Sequence, residues 1–214
     1  MLCILVSLPA GCISKPVMHP EIISLHSKPQ SGNRISLVQR QPSRPASNWS
    51  LFTEQAARRY GVDRKLIEAI IIVESGGNPS RVSRSNAVGL MQIKASTAGR
   101  EVYRFRGKRG RPDRKTLRDP AHNIDIGTAY ISILEKSILS GIRNPRTRLY
   151  AVIVSYANGP GALLRSFSSR PRRAIKMINA LTPAKFYRHI ERHHPAAQAF
   201  RYLRKVMAVY QTLS

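Results

Sequence analysis

The sequence predicts a single domain that is all-α, or nearly so. Three observations point there. From Trp49 onward, apolar residues recur at helical spacing in one segment after another; prolines open these segments and glycines close them; and no stretch sustains the apolar/polar alternation of a half-buried strand. With 214 residues, 42% of them apolar, the chain can bury one good core and is short for two full-sized domains.

The elements follow in order. Residues 2–10, LCILVSLPA, form an apolar run too short to span a bilayer, which takes about 20 helical residues, but suited to the core of a signal segment. Leu8-Pro9-Ala10-Gly11-Cys12 is similar to a bacterial lipoprotein cleavage site, in which the cysteine carries the lipid. Pro9 replaces the usual aliphatic residue and no basic residue precedes the run, so the alternatives are a start placed too late, an ordinary signal segment or a plain apolar tail. Residues 1–12 are read as this signal or lipoprotein-like segment. Residues 13–48, rich in Ser, Pro and Gln, cannot bury enough surface to offset chain entropy and are read as a flexible linker. The domain then occupies 49–214.

Within it, Thr53 to Tyr60 reads as a short helix stopped by Gly61, and Asp63 caps a second, KLIEAIIIVES, that ends at Gly76-Gly77. Leu66, Ile67, Ala69, Ile70, Ile71, Ile72 and Val73 cover most of its circumference, which predicts a central buried helix. A short hairpin is allowed between Ser80 and Leu90. Pro120 opens a long helix that ends before Gly141, and Pro145 opens RTRLYAVIVSYANG. Shorter helices are expected at 161–168, 172–180 and 183–193, and a last one from about Pro195 to Thr212.

Charge limits the partners. The chain has 36 Lys and Arg against 11 Asp and Glu, a net charge of +25, and 31 of the basic and ten of the acidic residues lie beyond residue 48. Such a domain suits a polyanion: nucleic acid, an anionic membrane surface or a carboxylate-bearing cell-wall polymer. The nucleic-acid reading lacks any aromatic-basic interleaving, helix-turn-helix or zinc pattern, and nucleic acid is not an expected partner. Cys3 and Cys12 are the only thiols, so the domain has none for a disulfide, a metal site or a nucleophile. His189, His193 and His194 make no HExxH pattern and are read as solvated basic-face residues; no metal and no cofactor is expected.

Glu74 is the anomaly. It ends an otherwise apolar helix and shares a face with Ile71, Ile70 and Ile67, three, four and seven residues back. Desolvation over hydrocarbon and the negative end of the helix dipole both disfavour its carboxylate, which raises the pKa as a general acid requires. An exposed helix-terminal glutamate is the alternative on position alone.

Three motifs decide between them. Glu74-Ser75-Gly76-Gly77-Asn78-Pro79, Gly89-Leu90-Met91-Gln92-Ile93 and Ser155-Tyr156-Ala157-Asn158-Gly159 occur in that order. Together they resemble the ES, GLMQ and YANG motifs of the Slt-type lytic transglycosylases, which implies the goose-type, lysozyme-like fold. Ser83-Arg84-Ser85-Asn86 and Lys94-Ala95-Ser96-Thr97 bring the resemblance nearest to the small membrane-bound endo-type subgroup.

The resemblance implies that Glu74 is the sole catalytic acid/base. It protonates the oxygen bridging N-acetylmuramic acid to N-acetylglucosamine in peptidoglycan, then takes the proton from the muramoyl C6 hydroxyl as that oxygen closes a 1,6-anhydro ring on C1. No water is consumed, so one carboxylate suffices where most glycosidases use a pair. Glu68 and Glu101 have no evident claim to be a second one. The resemblance further implies that Ser83, Ser85 and Tyr202 hold the reacting sugar, its water or its C6 hydroxyl, and that Gln92, Tyr156 and Asn158 are polar groups around the cleft. Tyr156 is expected to orient the Glu74 carboxyl, Asn158 to read the N-acetyl amide, and Met91 to pack against a sugar face. Capping serines, a core tyrosine and a helix-ending Asn-Gly are the ordinary structural readings of the same residues.

Peptidoglycan glycan strands are therefore the expected partner, with endo action. The membrane joins them through a lipid if Cys12 is modified, on the periplasmic side of the bacterial outer membrane. A hydrolytic muramidase of the same fold and a non-catalytic polyanion-binding protein are the alternatives. Arg104–Arg118, with eight basic residues and one acid, is read as a solvated loop that as a set attracts the carboxylates of stem peptides. Oligomeric state is not readable.

Overall fold

The computed structural model describes residues 49–213; the signal-like segment 1–12 with Cys12 and the linker 13–48 lie outside the described residues. Among the described residues the regular structure is helical apart from one small hairpin. α1 (Ser50–Tyr60) stops at Gly61, whose left-handed φ of 57° lets its N–H turn back to the Ala57 carbonyl. α2 (Arg64–Ser75) begins on Asp63, whose carboxylate accepts from the Lys65 N–H, and ends at Gly76, again left-handed.

An antiparallel bridge falls within the 80–90 segment where the sequence reading allows a hairpin, with the Ser83 and Gly89 N–H groups donating to the Ala87 and Arg81 carbonyls at 2.9 and 2.8 Å. A second pairing extends it beyond that segment. β1 (Ala87–Val88) pairs antiparallel with β2 (Ile93–Lys94), Val88 opposite Ile93, and Val82 adds a single bridge to Val88. The reversal falls on Gly89–Gln92 because both ends of that turn have positive φ, 82° at Gly89 and 47° at Gln92.

A π-helical turn (Ala95–Gly99) leads into α3 (Arg100–Phe105), and α4 (Arg114–Arg118) follows, capped by Asp113. Neither helix is visible in the sequence pattern, since arginines, Gly107, Gly110 and Pro112 interrupt it. They hold by burying one anchor each, Val102 and Leu117.

α5 (Pro120–Ile133) continues through a π-helical turn at Leu134–Ile138. Then come α6 (Pro145–Asn158), α7 (Pro160–Arg165), α8 (Pro171–Asn179), α9 (Pro183–His193) and α10 (Gln198–Thr212). Five of these helices carry proline in the first turn, where the missing N–H has no intrahelical partner to lose. His193 is exposed, as the sequence reading has it, but the other two histidines depart from a solvated face: His189 stacks on Phe167 with ring centroids 3.7 Å apart, and His194 is buried. Burial pushes the pKa of both down.

α2 does not hold the centre alone. Leu66, Ile67, Ala69, Ile70 and Ile71 are fully buried, but six successive residues of α5, Ile126 to Ile131, are buried as well, and five of α6, Ala151 to Ser155, fully so. Such all-round burial marks three interior helices. α10 packs against both α2 and α6. Running antiparallel to α2, it grips both of that helix's ends: Tyr202 donates to Glu74 at 2.7 Å and Tyr210 donates to Asp63 at 2.5 Å.

One buried amide secures the hairpin turn. Asn123 of α5 accepts from the Met91 N–H at 2.8 Å and donates to the Val88 and Leu117 carbonyls at 2.9 and 2.7 Å. Gly89 must be glycine here, because a Cβ would stand 2.3 Å from the Asn123 amide nitrogen and 2.5 Å from the Leu117 carbonyl. Replacing Asn123 by Leu leaves the Met91 N–H and the Leu117 carbonyl without the Asn123 partner, each costing about 1–3 kcal/mol, while the Val88 carbonyl still faces its ladder partner Ile93. Denaturant unfolding of Asn123→Leu should therefore show a loss of at least about 2 kcal/mol. A loss below about 1 kcal/mol would mean that the turn holds itself.

Candidate active site

Glu74 occupies the last turn of α2, where Gly76 and Gly77 release the chain. Ile67, Ile70 and Ile71, on its own face of the helix, are fully buried, while Glu74 itself is half-buried. Its helix exit is shaped by Ser75, which donates to the Ile71 carbonyl at 3.1 Å and accepts from the Gly77 N–H at 3.1 Å.

Burial raises the Glu74 pKa. The Tyr202 hydrogen bond and the charge of Arg81 act the other way without cancelling it. The folded protein thus holds this proton more tightly than the unfolded chain. The stability this group contributes falls as pH rises from the ordinary glutamate range through the raised value. A site built only for stability would not keep such a group.

Two phenols flank the carboxyl. Tyr202 donates to Glu74 Oε1, and burial first, then the Glu74 charge, push its own pKa well above the usual tyrosine value, so it remains a donor. The same causes act on Tyr156. Tyr156, however, does not orient Glu74 as the sequence reading expects. Its single proton goes to the Met91 carbonyl at 2.7 Å, tying α6 to the hairpin turn, and the orienting bond is made by Tyr202.

Met91 also departs from its expected role. Its side chain is fully buried and so close to α5 that a Cβ at Gly127 would stand 2.4 Å from its sulfur. It is a core residue with no face free for a sugar. Gln92 directs its amide group to the Arg81 and Gly89 carbonyls at 3.0 and 2.9 Å, which holds Arg81 where its charge reaches Glu74. Arg81 carries no sequence signal, being one cation among many.

The remaining candidates are held apart from the carboxyl. Ser83 Oγ accepts from the Ala87 N–H at 3.0 Å and lies 3.2 Å from Ser85 Oγ, so the two hydroxyls form a pair on the loop after Arg81. Neither hydrogen-bonds Glu74. Asn158 donates back to the Val154 carbonyl at 3.2 Å and accepts from Gln198 at 3.4 Å, joining the end of α6 to the start of α10.

Beside Ser85 opens a concavity of about 510 Å³ with Lys94, Arg111 and Arg114 on its walls. Arg114 reaches the Asn86 amide oxygen at 3.3 Å, so part of the basic segment is folded against the serine loop. That segment is less solvated than its composition suggests. Arg106 bonds Asp125 at 2.6 Å and the Tyr60 hydroxyl, as a structural tie between α1, α5 and the end of α3.

The arrangement suits proton transfer by one carboxyl, with no second carboxylate bonded to it. Glu68 and Glu101 are taken up by Arg64 and Arg104 at 2.7 and 2.6 Å. Tyr202→Phe removes a donor that favours the Glu74 carboxylate, and Arg81→Gln removes a favourable charge, so each raises the Glu74 pKa further. Carboxyl-carbon NMR titration should show both midpoints above that of the unaltered protein. A Tyr202→Phe midpoint at or below the original would contradict the assigned hydrogen bond.

The Transglycosylase SLT domain family matches residues 52–179, more than half of the chain. The endo-type membrane-bound lytic murein transglycosylase A of Cronobacter sakazakii (strain ATCC BAA-894) is 57% identical over 165 residues, 77% of this chain and 81% of that relative. The protein of the same name from Enterobacter sp. (strain 638) is 48% identical over 202 residues, 92% of this chain and 90% of the relative. Among solved structures, the 70 kDa soluble lytic transglycosylase of Escherichia coli matches with a TM-score of 0.57 at 24% identity. It covers 74% of this chain, which spans 23% of that one. The lytic transglycosylase Slt of Pseudomonas aeruginosa matches with a TM-score of 0.58 at 22% identity, over 75% of this chain and 23% of its own length. These two likenesses establish the lysozyme-like Slt fold, and on the family match and the close relatives together the chain belongs to the transglycosylase SLT domain family.

Proposed function

We propose that the chain is an endo-acting lytic murein transglycosylase in which Glu74 performs both proton transfers. The observation that carries this reading is a lone, partly desolvated carboxyl with a raised pKa and a permanent phenolic donor on one oxygen. Protonated, Glu74 gives its proton to the bridging oxygen as the bond to the muramoyl C1 breaks. As carboxylate, it takes the C6 hydroxyl proton while that oxygen bonds to C1. The proton count closes on the enzyme, and the products are a free N-acetylglucosamine hydroxyl and a 1,6-anhydromuramoyl end. Tyr202 fixes the carboxyl through both steps, because its hydroxyl stays protonated. The names of the relatives support murein as substrate and attack within strands.

Ser83, Ser85, Gln92, Tyr156 and Asn158 belong to the same proposal with divided tasks. The serine pair is left to bind sugar. Gln92 and Tyr156 shape the turn and the position of Arg81, and Asn158 stands at the junction of α6 and α10.

Glu74→Gln keeps the shape of the side chain but has no proton to give. Cleavage of purified sacculi should fall by at least about a hundredfold while folding and sacculus binding persist. The unaltered protein should release products about 18 Da lighter than hydrolysis gives, the mass of the water not consumed. Products of hydrolytic mass would select the muramidase alternative, and binding without cleavage the polyanion-binding one.

Membrane association belongs to this reading in its coarser form, since the relatives are named membrane-bound. No described helix is long and apolar enough to cross a membrane. The finer proposal is a lipid on Cys12, with residues 13–48 as a tether of about 30–35 Å root-mean-square reach on the periplasmic face of the outer membrane. Mass analysis of the mature N-terminus should find Cys12 first and acylated. Any other first residue removes the anchor.

A further inference from the structure

A second concavity, of about 520 Å³, lies between α6, α9 and α10. That volume falls in the range of ligand sites, about 300–1,000 Å³. Tyr150 and Tyr187 form its aromatic wall, their ring centroids 5.6 Å apart and edge to face, and Met207 lies in its floor. Arg146, Arg188 and Arg204 stand around it, one from each helix, and all three are exposed. Among the described residues no carboxylate lies within 4 Å of any of these guanidinium groups. Glu191 is the acid whose charge reaches Tyr187, and it acts there more weakly than Arg204.

This is not an extension of the Glu74 cleft. At about 100° per residue, Arg204, Met207 and Gln211 point about 140–200° around α10 from Tyr202, so the concavity opens on the other side of that helix. Three unpaired arginines converging from separate helices repel one another unless an anion joins them. Their planar forks match carboxylates, and the tyrosine wall offers a flat apolar face beside them. A ligand that fits carries carboxylates on a body with an apolar ring face.

We infer that this concavity is a second peptidoglycan site, which seats a stem-peptide-bearing muramoyl unit on a strand other than the one being cut. The arginines take the peptide carboxylates and the tyrosines take the sugar face. The identity of the polymer rests on the function proposed above; the presence of an anion site does not. A polymer held at a second point raises the effective concentration of neighbouring strands at the cleft.

The test uses the full chain. Binding is measured with Glu74→Gln, so that strands stay intact, on sacculi and on glycan strands stripped of peptides by an amidase and then amidated at the lactyl carboxylate this exposes, so that the stripped strands carry no charge. The triple change Arg146→Gln, Arg188→Gln, Arg204→Gln should weaken sacculus binding by about tenfold or more, yet leave binding to stripped strands unchanged. With Glu74 present, the same triple change should leave cleavage of a short soluble strand unaltered. A control removing equal charge from α8, Arg172→Gln, Arg173→Gln, Lys176→Gln, all exposed and outside both concavities, should weaken sacculus binding less. The single reversal Arg188→Glu, which asks less of the fold, should follow the triple.

Equal losses in pocket and control variants, or equal losses on stripped strands, would overturn the inference in favour of bulk charge. Unchanged sacculus binding with lost binding to phosphatidylglycerol vesicles would overturn it in favour of a lipid surface. The absence of anhydro products from the unaltered protein would sink the proposed reaction and leave these binding results readable on their own.

Discussion

A carboxyl can stand against hydrocarbon only if its surroundings supply what water would have supplied, and most of the domain's architecture answers that requirement at Glu74. α2 brings the residue to the core because its preceding turns are apolar on nearly every side. Two glycines then let the chain leave before the carboxyl is sealed in, and α10 delivers a single donor. The balance is specific: burial raises the pKa, while one hydrogen bond and one distant cation limit the rise. Without the donor, the acid would hold its proton more tightly and, in the reaction proposed above, give it to the leaving oxygen less readily.

The second requirement is a rigid wall beside the acid, met by a turn that is expensive to build. Gly89 and Gln92 adopt positive φ, Met91 is driven fully into the core, and three backbone groups are satisfied by one amide on α5. Tyr156 closes the arrangement from α6. Residues that sequence motifs mark as a binding surface are therefore largely the frame of that surface.

Much of this was legible beforehand, for physical reasons. Caps, prolines and glycines are local devices, so Asp63, Gly61, Gly76, Pro120 and Pro145 announced their helices. Glu74 stood out because an acid on an apolar face is costly wherever the helix packs. The direction of a side chain is not local. Tyr156 and Tyr202 are both phenols beside Glu74, and only tertiary geometry shows that the first spends its proton on a carbonyl. Met91 was misread for the same reason, since an apolar residue in a turn suits either a ligand or a core. α3 and α4 were hidden because each depends on one buried anchor, and Arg106 because nothing in a run of arginines marks the one that will be paired.

The grip of α10 on both ends of α2 also sets a timetable. Glu74 and Tyr202 are separated by 128 positions, and Asp63 and Tyr210 by 147. Contacts of such separation form late, because the loop between them must close first. A chain still emerging from synthesis or translocation has its acid long before it has the helix that aligns it. On the function proposed above, cleavage of the wall therefore waits for α10 to dock, since Glu74 lacks its orienting donor until then.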